Sequence, residues 1–299
     1  MKILNIGSLN LDYVYSVDHM VKAGETLESQ NMQVFPGGKG FNQSVALAQA
    51  GATVYHAGMI GEDGAVFIEL FEKYGIRANY LKVVGEKSGH TIIQVDNNAQ
   101  NSILLYGGAN RRFTTDFIDE VLKDFTKGDW LLLQNEVNLL PYIIEKANDI
   151  GLQIALNPSP FDDALRKCDL QKINIFFLNE IEGEQITNKS EPEEILEVMK
   201  EHFPHAQVVL TLGKEGVIFA DQNEILYQSV FKVNAVDTTA AGDTFTGYFL
   251  AGLLDKMEIS EILRMSAKAS AIAVTKHGAA SSIPNKNEVI QTEYYSKDW

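Results

Sequence analysis

Late in the chain, Ala240, Ala241 and Gly242 place three nearly bare peptide units directly before Asp243, and a helical pattern follows. Peptide N–H groups with little side chain around them can approach a ligand closely. At a helix N-terminus the dipole adds to them, and the result is an anion site. A carboxylate at the mouth of that site can take a proton from an alcohol while the amides hold a phosphoryl group in transit. Taken alone, Asp243 could equally cap the helix.

A second stretch, Pro36-Gly37-Gly38-Lys39-Gly40-Phe41-Asn42-Gln43, leads into the apolar helix face of Val45, Leu47 and Ala48. Glycines and a lysine suggest a phosphate loop, but Gly40 follows Lys39 where a Ser or Thr should bind magnesium. A P-loop is therefore excluded. The glycines suit close approach of a polyol, with Asn42 offering bidentate hydrogen bonds; a plain strand-to-helix turn uses the same residues. A third stretch, Gly7-Ser8-Leu9-Asn10-Leu11-Asp12, ends the first predicted strand. Ligands of parallel α/β sheets collect at the carboxyl ends of strands, so Asn10 and Asp12 are expected to point into that crevice. Such residues are also common turn formers.

These groups need a rigid frame. Short aliphatic runs at residues 3–6, 130–133, 153–156, 175–178 and 208–212 read as buried parallel strands. Leu140, Ile143, Ile144, Ala147 and Ile150 recur at helical spacing, with Pro141 near the start and Gly151 as the stop. Strand and helix in alternation imply a mostly parallel sheet covered on both faces. Residues 12–36 and 88–107 break that rhythm as extended or alternating segments, and a small β lid is placed there. Residues 216–229 read as a hairpin, and long helices are expected near 242–255 and 261–275. No linker divides the 299 residues, so one domain over 1–299 is expected.

Composition narrows the functions. A formal charge of −15 would repel a nucleic acid duplex or an anionic membrane, and no stretch has the length and apolarity of a membrane span. Cys168 is the only cysteine, which excludes an intrachain disulfide and fits a cytoplasmic location. His202 and His205 lack a metal-spaced partner, and Arg111 and Arg112 read as solvated. The first strand-turn lacks Gly-x-Gly-x-x-Gly, which argues against a nicotinamide enzyme.

Taken together, residues 7–12, 37–42 and Asp237-Thr238-Thr239-Ala240-Ala241-Gly242-Asp243-Thr244-Phe245 resemble the signatures of the ribokinase-type (PfkB) carbohydrate kinase family. Asn179-Glu180-Ile181-Glu182 is similar to its Asn-x-x-Glu element, and Thr211-Leu212-Gly213-Lys214-Glu215-Gly216 to its nucleotide-binding turn. Residues 271–279 and Ser282-Ile283-Pro284 resemble its closing segment, so the likeness covers nearly the whole chain in order.

The resemblance implies a three-layer α/β fold and ATP-dependent phosphorylation of a sugar hydroxyl, with O5 of ribose the favoured acceptor. Deoxyribokinase, fructokinase and nucleoside kinase activities are the alternatives, followed by a non-catalytic sugar-binding protein. It implies that Asn10, Asp12, Gly38, Lys39, Asn42 and Glu136 surround the sugar and that Asp243 is the base. Ala240, Ala241, Gly242 and the Asp243 N–H would form the anion hole. Thr211, Gly213 and Gly216 would frame the nucleotide, while Asn179 and Glu182 organise phosphates and Mg²⁺. A monovalent cation, K⁺, would sit among Asp237, Thr239, Ala273, Lys276, Gly278 and Ser282. A homodimer is implied as well. Phe41 stands where the family usually carries a small residue, which bears on the shape of the sugar pocket.

Overall fold

A computed structural model describes residues 1–98 and 100–294. Its strands are β1 (Ile3–Ile6), β2 (Asn10–Ser16), β3 (Asn31–Gly37), β4 (Val54–Ile60), β5 (Arg77–Val83), β6 (Gly89–Val95), β7 (Asn101–Tyr106), β8 (Trp130–Gln134), β9 (Gln153–Asn157), β10 (Ile175–Asn179), β11 (Gln207–Thr211), β12 (Val217–Ala220) and β13 (Ile225–Gln228). Its helices are α1 (Lys39–Gln49), α2 (Val66–Tyr74), α3 (Thr115–Leu122), α4 (Leu140–Ile150), α5 (Glu180–Thr187), α6 (Pro192–His202), α7 (Ala241–Leu254), α8 (Ile259–Ala273) and α9 (Lys286–Gln291).

Nine strands form one sheet in the order β13-β12-β11-β10-β9-β8-β1-β4-β5. All neighbours are parallel except the β11-β12 and β12-β13 pairs. The strands read from aliphatic runs all belong here, as does the expected hairpin. Side chains alternate across the sheet, so each strand feeds two cores. Ile3, Leu132, Phe177 and Val209 join the core shared with α1, α2, α7 and α8. Leu4, Leu131, Phe176 and Val208 join the core shared with α3, α4 and α6.

Two parallel strands, β4 and β5, were not expected. The apolar run of β4 is interrupted by His56 and Gly58, and β5 is an edge strand carrying Arg77 and Lys82. The α6 helix ends at His202, so His205 lies beyond it and does not share its face. No helix among the described residues is long and apolar enough to cross a membrane.

Four strands form a second, smaller sheet in the order β3-β2-β6-β7. It falls where a lid was expected, although its first strand begins at Asn10, two residues earlier than 12. The predicted segments also include residue 99, which lies outside the described residues, as do 295–299 of the expected domain. Only Gly7, Ser8 and Leu9 separate β1 from β2, so one continuous stretch links the two sheets.

α1 and α7 cross in close contact. A Cβ at Gly247 of α7 would lie 2.3 Å from the Ala46 Cβ and 2.7 Å from the Leu47 nitrogen of α1. Only a glycine permits that approach. Gly247→Ala is expected to lower the unfolding free energy by about 1–3 kcal/mol, measured by urea titration. Gly242→Ala, where an added Cβ meets nothing within 4 Å, should not lower it.

Candidate active site

The carboxyl ends of β9, β10 and β11 and the first turns of α1 and α7 border one cleft. Asp243 lines it together with Lys39, Asn179, Glu182, Thr211 and Gly242. Although Asp243 is only 6% exposed, its carboxylate is matched on both oxygens. Asn42 Nδ2 donates to Oδ2 at 3.0 Å, and Gln43 Nε2 donates to Oδ1 at 2.9 Å. The N-cap of α7 is Ala240, without a side-chain cap bond, so a capping role for Asp243 is excluded. Burial pushes its pKa above the usual carboxylate range, while Lys39, Asn42 and Gln43 pull against that rise. For Lys39, burial disfavours the charge, but Asp243, Glu136 and Glu182 more than offset it and hold the ammonium above its ordinary pKa.

Not every amide expected to form an anion hole is free of a partner within the chain. The Ala241 N–H donates to the Thr238 carbonyl at 3.2 Å, closing the turn that starts α7. It is therefore not available to a phosphoryl group. The N–H groups of Gly242 and Asp243 have no such partner among the described residues. Gly242 is exposed at the cleft.

Among the residues expected to surround the sugar, Glu136 is half-buried beside Ser8 and Lys39. Its Oε2 accepts from the Ser8 hydroxyl and from the Lys39 N–H at 3.1 Å. Burial raises its pKa, with the Lys39 charge the chief opposing influence. Asp12 accepts from the Thr91 hydroxyl at 2.5 Å. Burial lifts its pKa to about 6 against that hydrogen bond, and the nearby Glu136 adds to the rise. Asn10 is buried, and its Oδ1 accepts from Asn110 Nδ2 at 2.7 Å, which leaves its amide nitrogen to face other partners. Gly38 has φ 93°, and a Cβ there would lie 3.0 Å from the Asn10 nitrogen. Asn42 Oδ1 is buried without a partner among the described residues, an acceptor suited to a ligand hydroxyl. Phe41 does not narrow this pocket: its ring faces the core, 5.1 Å from Phe67 and 6.1 Å from Phe71 between centroids.

On the nucleotide side, Asn179 and Glu182 form a reciprocal capping box at the start of α5. Thr211 lines the cleft, while Gly213 and Gly216 shape the turn that follows it, closed by Leu212 N–H to the Gly216 carbonyl at 2.8 Å.

Asp237 ties its own loop to the one after α8. Its Oδ1 accepts from the Thr239 N–H at 3.0 Å and its Oδ2 from the Gly278 N–H at 3.0 Å. Burial opposes its charge, but these bonds and the Thr239 hydroxyl hold its pKa below the usual range. The Ala273 carbonyl accepts from the Lys276 N–H, and the Ser282 hydroxyl donates to the Ala279 carbonyl.

Several contributors escaped the sequence reading. Ser8, Asn110 and Thr91 each hold a proposed sugar ligand, Asn157 lines the cleft, and Gln43 grips Asp243. Of these, Gln43 and Ser8 lay in stretches already singled out; the others carried no signal in the sequence. Arg111 donates to the Val137 carbonyl and Arg112 pairs with Glu86.

The family description pfkB family carbohydrate kinase matches residues 1–286. A ribokinase of Haemophilus influenzae is 37% identical over 300 residues, covering 96% of each chain. A deoxyribokinase of Salmonella typhi is 32% identical over 301 residues, covering 95% of this chain and 96% of that one. The structure of an Arabidopsis thaliana ribokinase complexed with ribose and ATP superposes with a TM-score of 0.86 at 28% identity, covering 97% of both chains. A buried, matched carboxylate at a helix start, in a cleft at the carboxyl ends of parallel strands, is thus found in a chain that belongs to the pfkB family of carbohydrate kinases.

Proposed function

We propose that this protein is a ribokinase, which transfers the γ-phosphoryl group of ATP to O5 of D-ribose. The observation that carries the reading is the place of Asp243. Its carboxylate is held by Asn42, whose own Oδ1 is left for a hydroxyl, and it lines a cleft with Lys39 and Gly242, where the amides of Gly242 and of Asp243 itself have no partner among the described residues. The complex of the Arabidopsis relative with ribose and ATP supports the choice of substrates.

Asp243 accepts the proton of the attacking hydroxyl. Its upward-shifted pKa makes it a stronger base than an exposed aspartate. The Gly242 and Asp243 amides take up negative charge on the phosphoryl oxygens as transfer proceeds in line. The small sheet folds over the sugar as a lid and keeps water from the phosphoryl group.

Glu182 suits Mg²⁺. One of its oxygens is held by the Asn179 N–H and the other is left for a hydrated ion, which needs few protein ligands. When bound, Mg²⁺ would offset charge on the ATP phosphates. Asp237, an ionised carboxylate in an all-oxygen donor set, suits K⁺, which would stiffen the loop before α7.

A homodimer and a cytoplasmic location complete the proposal. In the small sheet, Val34, Ile92 and Leu104 lie in one cross-strand row with Tyr13, and they are 44%, 39% and 67% exposed. Such an apolar row suits a second copy. Deoxyribokinase activity is the second reading, favoured by the Salmonella relative.

An ADP-release assay over ribose, deoxyribose, fructose and nucleosides is expected to give turnover with ribose, faster in potassium than in sodium. Turnover confined to deoxyribose or to a nucleoside would refute the ribose assignment. Asp243→Asn should still bind both substrates but lose about 10²–10⁴-fold or more in kcat. Asp12 gives a pH signature. Its carboxylate form accepts sugar hydroxyls and its pKa is about 6, so sugar affinity should be full above that pH. Affinity should weaken by up to about tenfold per unit below it, and titration calorimetry should find the dependence flattened in Asp12→Asn.

A further inference from the structure

Asp243 is gripped by Gln43, and Gln43 is the last link in a buried chain that the reaction does not itself require. Gln134 Nε2 donates to Gln43 Oε1 at 2.7 Å and to Asn5 Oδ1 at 3.0 Å. Asn5 Nδ2 donates to the Gly40 carbonyl at 2.7 Å and to Ser44 Oγ at 2.8 Å. Ser44 Oγ meets His56 Nδ1 at 2.8 Å, and His56 Nε2 meets the Gly7 carbonyl at 3.3 Å. Asn5, Gln43, Ser44, His56 and Gln134 are all 0% exposed.

The chain has only one workable polarity. Backbone carbonyls can only accept. The Gly40 carbonyl therefore fixes the Asn5 NH₂ towards itself, and the Asn5 oxygen must face Gln134. Gln134 then presents its NH₂ to Asn5 and Gln43 alike, so the Gln43 oxygen faces Gln134 and the Gln43 NH₂ faces Asp243. At the far end the Gly7 carbonyl fixes the proton of His56 on Nε2. His56 stays neutral, its pKa pushed down to about 3 by burial.

We infer that the buried amide chain Asn5–Gln134–Gln43 is a positioning device that presents an N–H, never an oxygen, to the carboxylate of Asp243. Reversal of Gln43 would set oxygen against oxygen. With Asn42 on the other oxygen, the carboxylate is held in one rotamer, and both donors favour the ionised form that receives the acceptor's proton. Gln43 and Gln134 touch no substrate in this scheme; they act through Asp243. The charged groups that face Asp243 are Lys39 of α1 and Glu136 after β8, and the variants below leave both in place. The inference rests on the assignment of Asp243 as base.

The test is the pH profile of kcat, read by chromatographic detection of ADP, with thermal melts on each variant. In Gln43→Met and Gln134→Met the acid limb is expected to move up by about one pH unit. KM for the sugar should change by less than about threefold, and most of kcat should return on the plateau above the limb. Ser44→Ala cuts the link to His56 but leaves Asn5 tied to the Gly40 carbonyl, so its limb should stay at the parent position even if its melting temperature falls. If Gln134→Met does not fold, Gln43→Met, which keeps the Gln134–Asn5 pair, reads the same limb. Unmoved limbs, or an equal loss at every pH, in an enzyme that Asp243→Asn inactivates would overturn the inference and leave the base assignment standing. Retained turnover in Asp243→Asn would remove the base assignment and the inference with it.

Discussion

The structure turns on keeping one carboxylate ionised away from water. Burying an isolated charge costs several kcal/mol even after relaxation, and Asp243 is compensated by two side-chain amides and a neighbouring ammonium. All three partners reside on α1, more than 190 residues earlier in the chain. The two helices must therefore cross nearly in contact, which Gly247 and Ala46 allow. The crossing is tied into the core by Phe41, which meets Phe67 and Phe71 of α2, and by Phe249, which meets Phe177 of β10 and Phe219 of β12. Catalytic geometry and core packing are one problem in this fold.

The site's electrostatics are local. The chain carries a net −15, and Lys39 is surrounded by the carboxylates of Asp243, Glu136 and Glu182. Side-chain charge alone does not create a positive cleft. Under the proposed function, recognition of an anion falls to peptide dipoles, which bring no counter-charge and need no reorganisation. The sugar side is the converse, a surface of acceptors that favours a ligand rich in hydroxyl donors.

Much of the frame was legible because its strands are short, aliphatic and buried on both faces. β1 matched its predicted residues, and the hairpin of β12 and β13 lay where turn residues placed it. β4 was hidden because a neutral, hydrogen-bonded His56 looks in sequence like a break in an apolar run. The candidate base was legible from its small-residue neighbours, as were Asn10 and Asp12 from their place after a strand. The supporting polar groups were not. Asn5, Gln134 and Ser44 acquire meaning only when distant elements are brought together. The Ala241 amide was assigned to the ligand because closure of its turn by Thr238 is a matter of backbone geometry. Phe41 was read as bearing on the shape of the sugar pocket, yet its ring packs away into the core against Phe67 and Phe71.

β2 leaves β1 after three residues and carries Asn10 and Asp12 into the small sheet. Under the proposed function, one ribbon of backbone would supply both the floor that reads the acceptor and the roof that shields it. Drift in acceptor preference along that ribbon would alter how tightly the chamber seals, and would surface as wasteful hydrolysis of ATP. On that reading, selectivity and thrift would be mechanically coupled.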